Sequence, residues 1–307
     1  MRKILIPIMI IMMIFTSACS ENGVKTTENI STTASSTITY KSENGPIKVP
    51  KHPKRIVALN GSTSGDIMKL GGNIVGVEKY SIANPLYKKY LKNATTVSDE
   101  DLEKIIKLKP DLIIAGSTDK NLDKLSKIAP TVSYTYNKLS YLDQITEIGK
   151  LINKEKEANE WVNNFKKRAL EAGQKIKNKI GKDSTITILG GDNKQLYVFG
   201  NNWGRGSEII YQAMGLKMPK KVMDTALKPG YYVISSEVLP QYIGDYLIYI
   251  KETESNNSFK NTDTYKNIPA VKNNRVLEVE ASKFYFNDPI SLDYELDTFI
   301  NYFLANN

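Results

Sequence analysis

The chain has 307 residues, with 42 Lys and Arg against 33 Asp and Glu, one histidine and one cysteine. That length suits one large or two ordinary domains, and a lone cysteine excludes an intrachain disulfide. The single histidine, His52 in "KHPKR", gives a Ser-His-Asp or Cys-His mechanism no convincing base and gives zinc or haem iron no obvious ligand set.

The opening "MRKILIPIMIIMMIFTSACS" has basic Arg2 and Lys3, an apolar run from Ile4 to Phe15, and small residues before Cys19. This pattern predicts a signal peptide over 1–18. Cys19 stands where a bacterial lipobox carries its lipidated residue. The mature chain is therefore expected on the extracytoplasmic face of the cell membrane, anchored at Cys19. Losing Arg2 and Lys3 lowers the formal charge from +9 to +7. Export and dispersed lysines argue against a nucleic-acid partner. Residues 19–39 are rich in Ser and Thr and read as a flexible tether.

Residues 40–150 form a first α/β lobe in this reading. Asn44-Gly45 fits a hairpin turn between two short strands. "RIVALN" is a buried strand, followed by a polar loop "NGSTSG" and a helix "DIMKLGG". "DLIIAGSTD" repeats that plan, with Ser117 and Thr118 as candidate caps for the next helix. Trp161, Phe165, Ala169, Ala172, Ile176 and Ile180 then recur at helical spacing, and Gly181 supplies a stop, giving a connecting helix over 151–181. "STITILGG", "KQLYVFG" and "GDYLIYI" resume the alternation in a second lobe, 182–307. Alternating strands and helices predict parallel-leaning α/β sheets. "LEKIIKLKPDLII" and "SEVLPQYIGDYLI" also align without a gap, each with a glutamate (Glu103, Glu237) eight residues before an aspartate (Asp111, Asp245), a faint sign of related lobes.

The most informative stretch is "LYVFGNNWGRGSEII". Gly200, Gly204 and Gly206 permit a tight turn, but no lysine follows the spaced glycines, so it is not a P-loop. A bare turn needs neither Trp203 nor Arg205. Aromatic residues gather in other loops as well: "YTYN" with Tyr136, "LYVFG" with Tyr197, "GYYV" with Tyr231, and "KFYFNDP" with Phe284 and Tyr285. Clefts in α/β folds open at the carboxyl ends of strands. Flat aromatic faces beside one arginine fork suit a bulky ligand of mixed polarity, bound and not transformed.

"IKVPKHPKRIVAL", "IIKLKPDLIIAG", "STDKNLDKLSKIAPTV", "GNNWGRGSEIIYQAMGLKM", "IPAVKNNRVLEV" and "YFNDPISLDYELD" carry a resemblance that covers essentially everything after the tether. The chain resembles the substrate-binding lipoproteins of iron-siderophore ABC importers, most closely the Gram-positive ferric hydroxamate (ferrichrome, ferrioxamine) receptors. "NNWGRG" and "FNDP" are the specific segments; the others are shared with haem, cobalamin and catecholate binders. The resemblance implies an α/β, two-lobed periplasmic-binding-protein-like fold of class III, its lobes joined by one long helix, in a monomer that is not an enzyme. It implies no cofactor and no protein metal site. The ligand is an Fe(III)-siderophore whose own oxygens fill the iron's coordination sphere. By the same resemblance Tyr197, Trp203 and Arg205 contact the ligand from the second lobe and Tyr136 from the first. Tyr285 stands where close hydroxamate receptors carry tryptophan. Glu103 and Glu237 are implied as one docking residue per lobe for the membrane permease. A haem or cobalamin receptor of the same architecture, a lipid-anchored hydrolase and a structural surface protein remain the alternatives.

Overall fold

The computed structural model describes residues 36–305; the signal sequence, Cys19 and the tether as far as residue 35 lie outside the described residues. Strands β1 (Thr37–Ser42) and β2 (Gly45–Pro50) form an antiparallel hairpin whose last pair is Ser42 with Gly45. β1 thus begins inside the stretch read as tether. The turn residues are Glu43 and Asn44, one position earlier than the Asn-Gly dipeptide suggests. Their side chains hold the turn in place: Asn44 Nδ2 donates to Ser133 Oγ (2.9 Å), and Glu43 accepts from Thr135 Oγ1 (2.8 Å).

The first lobe then runs β3 (Ile56–Ala58), α1 (Gly61–Lys69), β4 (Ile74–Val77), α2 (Lys79–Ala83), β5 (Thr95–Thr96), α3 (Leu102–Lys107), β6 (Leu112–Gly116), α4 (Leu122–Leu125) and β7 (Thr131–Tyr134). Its sheet has the order β5-β4-β3-β6-β7 and is parallel throughout. Ile56, Val57, Ala58 and Leu112, Ile113, Ile114, Ala115 are all buried, as expected of parallel strands covered on both faces.

Helix α1 departs from the sequence reading. "GSTSG" is not a loop but the helix's first turns, capped by Asn60, whose side chain accepts from Ser62 N. Thr63, Ser64 and Gly65 are buried there, and Asp288 lies against Gly65. A Cβ on Gly65 would sit 1.9 Å from Asp288 Oδ1. Small residues are required by that approach, not by a turn.

The helical pattern from Tyr141 to Ile180 is broken once, between α5 (Tyr141–Leu151) and α6 (Glu155–Ile180), where Asn153 takes φ 58. At 1.5 Å per residue, α6 is roughly 39 Å long. It buries Ala158, Val162, Phe165, Ala169, Ala172 and Ile176 and ends at Gly181, φ 101.

The second lobe comprises β8 (Ile186–Gly191), β9 (Leu196–Phe199), α7 (Lys220–Ala226), β10 (Tyr231–Ile234), α8 (Leu239–Tyr242), β11 (Tyr246–Lys251), α9 (Asp263–Lys266), α10 (Pro269–Lys272), β12 (Val276–Glu280) and α11 (Pro289–Leu304). The order is β10-β9-β8-β11-β12. Here the parallel expectation holds for β8, β11 and β12 only; β9 runs antiparallel to both β8 and β10. The loop 192–195 is too short for a crossover, so β9 must return beside β8.

The echo between lobes has a structural counterpart. Asp111, just before β6, accepts from Lys54 N (2.7 Å) and Arg55 N (2.9 Å) at the entry to β3. Asp245, just before β11, accepts from Thr185 N (2.8 Å) at the entry to β8. Each aspartate sets the register of two neighbouring parallel strands.

Helices α6 and α11 form the spine between the sheets. Asp293 of α11 accepts from Lys69 Nζ (2.8 Å), Trp161 Nε1 (3.0 Å) and Arg168 (2.9 Å), tying α1 and α6 to α11. One apolar cluster continues through both lobes, from Ile56, Leu112 and Ile114 to Ile186, Ile188 and Ile248. Among the described residues no helix is long and apolar enough to cross a membrane.

Candidate functional site

All five parallel strands of the first lobe end at one cleft of about 970 Å³. Asn60 follows β3, Glu78 follows β4, Ser98 follows β5, Ser117 follows β6 and Tyr136 follows β7. The second lobe contributes Trp203, Gly204 and Arg205 from the segment after β9, with Tyr285, Phe286 and Asn287 from the approach to α11. The site is therefore at the carboxyl ends of the strands, where loop residues are free to serve a ligand.

The turn that presents Trp203 and Arg205 is unusual in its backbone. Gly204, Arg205 and Gly206 all have positive φ, at 68, 62 and 77. Glycine adopts this conformation freely; arginine does so at a cost of roughly 1–2 kcal/mol. Buried Glu208 fixes the turn. It accepts from Gly204 N (3.0 Å), Ser207 Oγ (3.0 Å) and Asn287 Nδ2 (3.1 Å). Burial raises the Glu208 carboxyl above its usual range, against those hydrogen bonds. The segment that follows, Glu208–Ala213, is a wide π-type helix, with Met214 N donating to Ile209 O (2.8 Å). Such irregular turns recur at functional sites.

Arg205 makes no salt bridge among the described residues. Its guanidinium lies 4.4 Å from the Tyr285 ring centroid and 5.3 Å from that of Phe199, and one nitrogen donates to Trp203 O (3.1 Å). It is held by aromatic faces and one carbonyl, so most of its donors stay available. Ring contacts run on from it in a continuous arc. Tyr136 meets Trp203 edge-on at 5.6 Å, Trp203 meets Tyr231 at 4.9 Å, and Tyr231 meets Tyr197 at 5.8 Å. At the other end Tyr285 stacks on Tyr80 at 5.9 Å with only 5° between planes. Tyr136 and Tyr80 belong to the first lobe, so the arc bridges the cleft twice.

A protein-family model described as "Periplasmic binding protein" matches residues 56–282, from the first strand of one sheet through the last strand of the other. The chain belongs to that family. This periplasmic binding protein is 37% identical over 288 residues to the iron(3+)-hydroxamate-binding protein FhuD of Bacillus subtilis, spanning 92% of this chain and 91% of the relative. Its fold matches the FhuD protein from S. pseudintermedius with a TM-score of 0.80 at 37% identity, covering 88% of this chain and 99% of that one. It matches FhuD2 from Staphylococcus aureus, solved with bound ferrioxamine B, with a TM-score of 0.78 at 35% identity, covering 82% and 98%. The two-lobed α/β fold expected from the sequence, with α6 as the long connecting helix, is thus the fold of the family.

Within this binding protein, Tyr136, Trp203, Arg205 and Tyr285 converge on the cleft. Tyr197 does not line it. It lies behind Arg205 in a side cavity of about 330 Å³, its hydroxyl donating to Gln195 Oε1 (2.9 Å). Tyr231 stands between Tyr197 and Trp203 and backs the indole. Phe284 is a correction. It is only 1% exposed, packed edge-on against Tyr294 and Phe299 of α11. Successive side chains alternate along "KFYFN", so Phe284 and Phe286 cannot share the exposure of Tyr285; Phe286 turns to the cleft floor against Tyr87. Ser117 and Thr118 cap nothing and line the cleft instead, while Asn121 precedes α4.

Tyr80, Glu208 and Asn287 escape the sequence reading. Tyr80 carries a faint signal, an aromatic directly after a buried strand; Glu208 and Asn287 lie inside the two specific segments but were not singled out. Glu103 and Glu237 are exposed, and neither makes a salt bridge among the described residues. Glu237 accepts from Ser236 Oγ (3.3 Å), and hydrogen bonds from Ser235 and its neighbours hold its carboxyl below the usual range.

Proposed function

We propose that this chain is a lipid-anchored extracytoplasmic receptor that binds ferric hydroxamate siderophores without altering them and passes them to an ABC permease. Arg205 is the observation that carries the reading: a cation with no salt bridge among the described residues, flanked by aromatic faces, at the wall of a 970 Å³ cleft. A hydroxamate complex presents carbonyl and N–O oxygens around iron and an apolar organic scaffold outside them. Arg205 donates to the oxygens, while Trp203, Tyr136, Tyr285 and Tyr80 cover the scaffold. Because the siderophore saturates the iron, the protein has to recognise only the shell. Hydroxamate iron complexes carry no charge at the metal, and one arginine matches that better than it matches a triply anionic catecholate. The FhuD and FhuD2 likenesses support the same ligand class.

A buried charge-assisted hydrogen bond contributes roughly 1.5–3 kcal/mol, and covering an aromatic face contributes about as much. Arg205→Ala and Trp203→Ala are therefore each expected to weaken ferrioxamine B binding about tenfold or more by calorimetry. Wild-type affinity in both variants removes these residues from the site and the reading with them.

A further inference from the structure

On the first-lobe wall of the cleft, the end of β6 presents Gly116, Ser117, Thr118 and Asp119 in succession. Asp119 Oδ2 accepts from Gly116 N (2.9 Å), which fixes the carboxylate; its second oxygen has no partner among the described residues, and neither do the Ser117 and Thr118 hydroxyls. No lysine or arginine salt-bridges Asp119. Asp99 beside it is satisfied by Lys120 N (3.0 Å) and Asn121 N (3.3 Å), not by a cation. Partial burial, and secondarily the charge of Asp99, raise the Asp119 carboxyl against the Gly116 N–H. Glu78, on the same wall, likewise caps backbone N–H groups of Tyr80 and Ser81. Asp101 is already paired with Lys104, and Lys79 lies over the Tyr80 ring at 4.9 Å.

The cleft therefore sets Arg205 on the second-lobe wall against Glu78 and Asp119 on the first, neither with a salt bridge among the described residues, while Lys79 on that wall is turned over the Tyr80 ring. A ligand that fits both walls carries acceptor oxygens on one side and a positive donor on the other. We propose that Ser117, Thr118 and Asp119 recognise a primary ammonium group on an arm of the bound siderophore. This rests on the hydroxamate reading of the cleft. An ammonium has three N–H donors and no acceptor, which matches two hydroxyl oxygens and one carboxylate oxygen on consecutive residues. A carboxylate-bearing arm is repelled by the Asp119 carboxylate. Since the ferric tris-hydroxamate core is neutral, the charge on its arms is what this wall discriminates.

The test compares ferrioxamine B, which ends in a primary ammonium, with its N-acetylated derivative, which has the same ferric core and no charge. Affinities are read by tryptophan quenching in wild type, in Asp119→Asn, and in a Ser117→Ala, Thr118→Val double variant. Wild type is expected to prefer the ammonium form about three- to tenfold, the range of a partly exposed ion pair. That preference is expected to collapse in Asp119→Asn and shrink in the double variant. Equal binding of both forms by wild type overturns the assignment while leaving the hydroxamate reading intact. So does a preference that survives in Asp119→Asn. Failure to bind either form rejects the hydroxamate reading itself, and this inference with it.

Discussion

Arg205 is held in a left-handed conformation between two glycines, a state that favours Gly over Arg at that position. Stability gives little reason for the arginine, because its side chain makes no salt bridge among the described residues and its aromatic contacts are partly exposed. Arg205→Gly should therefore unfold in urea within about 1 kcal/mol of wild type, since relief of backbone strain offsets the lost ring contacts. Its affinity for ferrioxamine B should still fall at least tenfold. A variant that binds normally, or one that is grossly destabilised, contradicts a residue kept for the ligand. Trp203 and Arg205 were legible in the sequence because a glycine-dense turn has no use of its own for a large aromatic or a cation. Tyr80 was not, since "VEKYSIANPLY" reads equally well as a solvated helix face. Nor can alternation in "KFYFN" be phased from the residues alone. Its phase is set by Asp288, whose side chain starts α11 by accepting from Ile290 N (2.9 Å) and Ser291 N (3.4 Å).

Helix α11 buries Leu292, Leu296, Phe299 and Phe303 along one stripe, and Glu295 lies within that stripe, wholly buried, with neither carboxylate oxygen hydrogen-bonded among the described residues. Asp288 at its N-terminus and Asp66 of α1 are buried beside each other, the first accepting from Tyr87 Oη, the second from Gln144 Nε2 (3.1 Å). Burial raises the carboxyls of all three. The charges of Glu208 and Asp288 raise Glu295 further, Arg205 opposes them, and the charge of Asp288 raises Asp66 further. A carboxyl raised in the folded state binds its proton more tightly there than in the unfolded chain. Its contribution is therefore fully present below the ordinary carboxyl range and is lost as pH climbs through the raised folded value. Unfolding free energy should fall as pH climbs above the ordinary carboxyl range, and Glu295→Gln should flatten that fall. An unchanged slope in the variant means Glu295 is not the proton-linked group. Periodicity revealed the helix α6, whose apolar positions recur at helical spacing. It could not reveal these acids, because a glutamate in a pattern is assigned to solvent unless the packing around it is known. The same limit concealed the start of α1, whose polar first turns are buried, Gly65 against Asp288.

Across the whole molecule, two sheets of different strand direction share one apolar cluster through α6 and α11, and the ring arc crosses the cleft at Tyr136–Trp203 and Tyr80–Tyr285. The division into two lobes was readable from the alternation of strands and helices. The antiparallel return of β9 was not, because the short loop 192–195 decides its direction. Glu103 and Glu237 occupy corresponding places, each on the short helical segment leading to the aspartate that anchors the central strands of its lobe. We infer that they are the contacts for the membrane permease, one from each lobe. A Glu103→Ala, Glu237→Ala variant should bind ferric hydroxamate normally yet lose siderophore-dependent uptake in cells. Full uptake in that variant assigns the two glutamates to the helix starts alone, where an acid is locally favoured.

The central proposal, a ferric hydroxamate bound against Trp203, is tested most directly by tryptophan fluorescence. Trp161 is remote from the cleft, stacked on Phe165 at 5.0 Å and hydrogen-bonded to Asp293, so Trp203 is the indole positioned to report on the ligand. The purified protein is titrated with ferrioxamine B, ferrichrome, ferric citrate and haem, alongside Trp203→Phe. Saturable quenching at submicromolar ferric hydroxamate, absent in Trp203→Phe, is the expected result. Quenching by haem alone, or hydroxamate quenching that persists without Trp203, contradicts it.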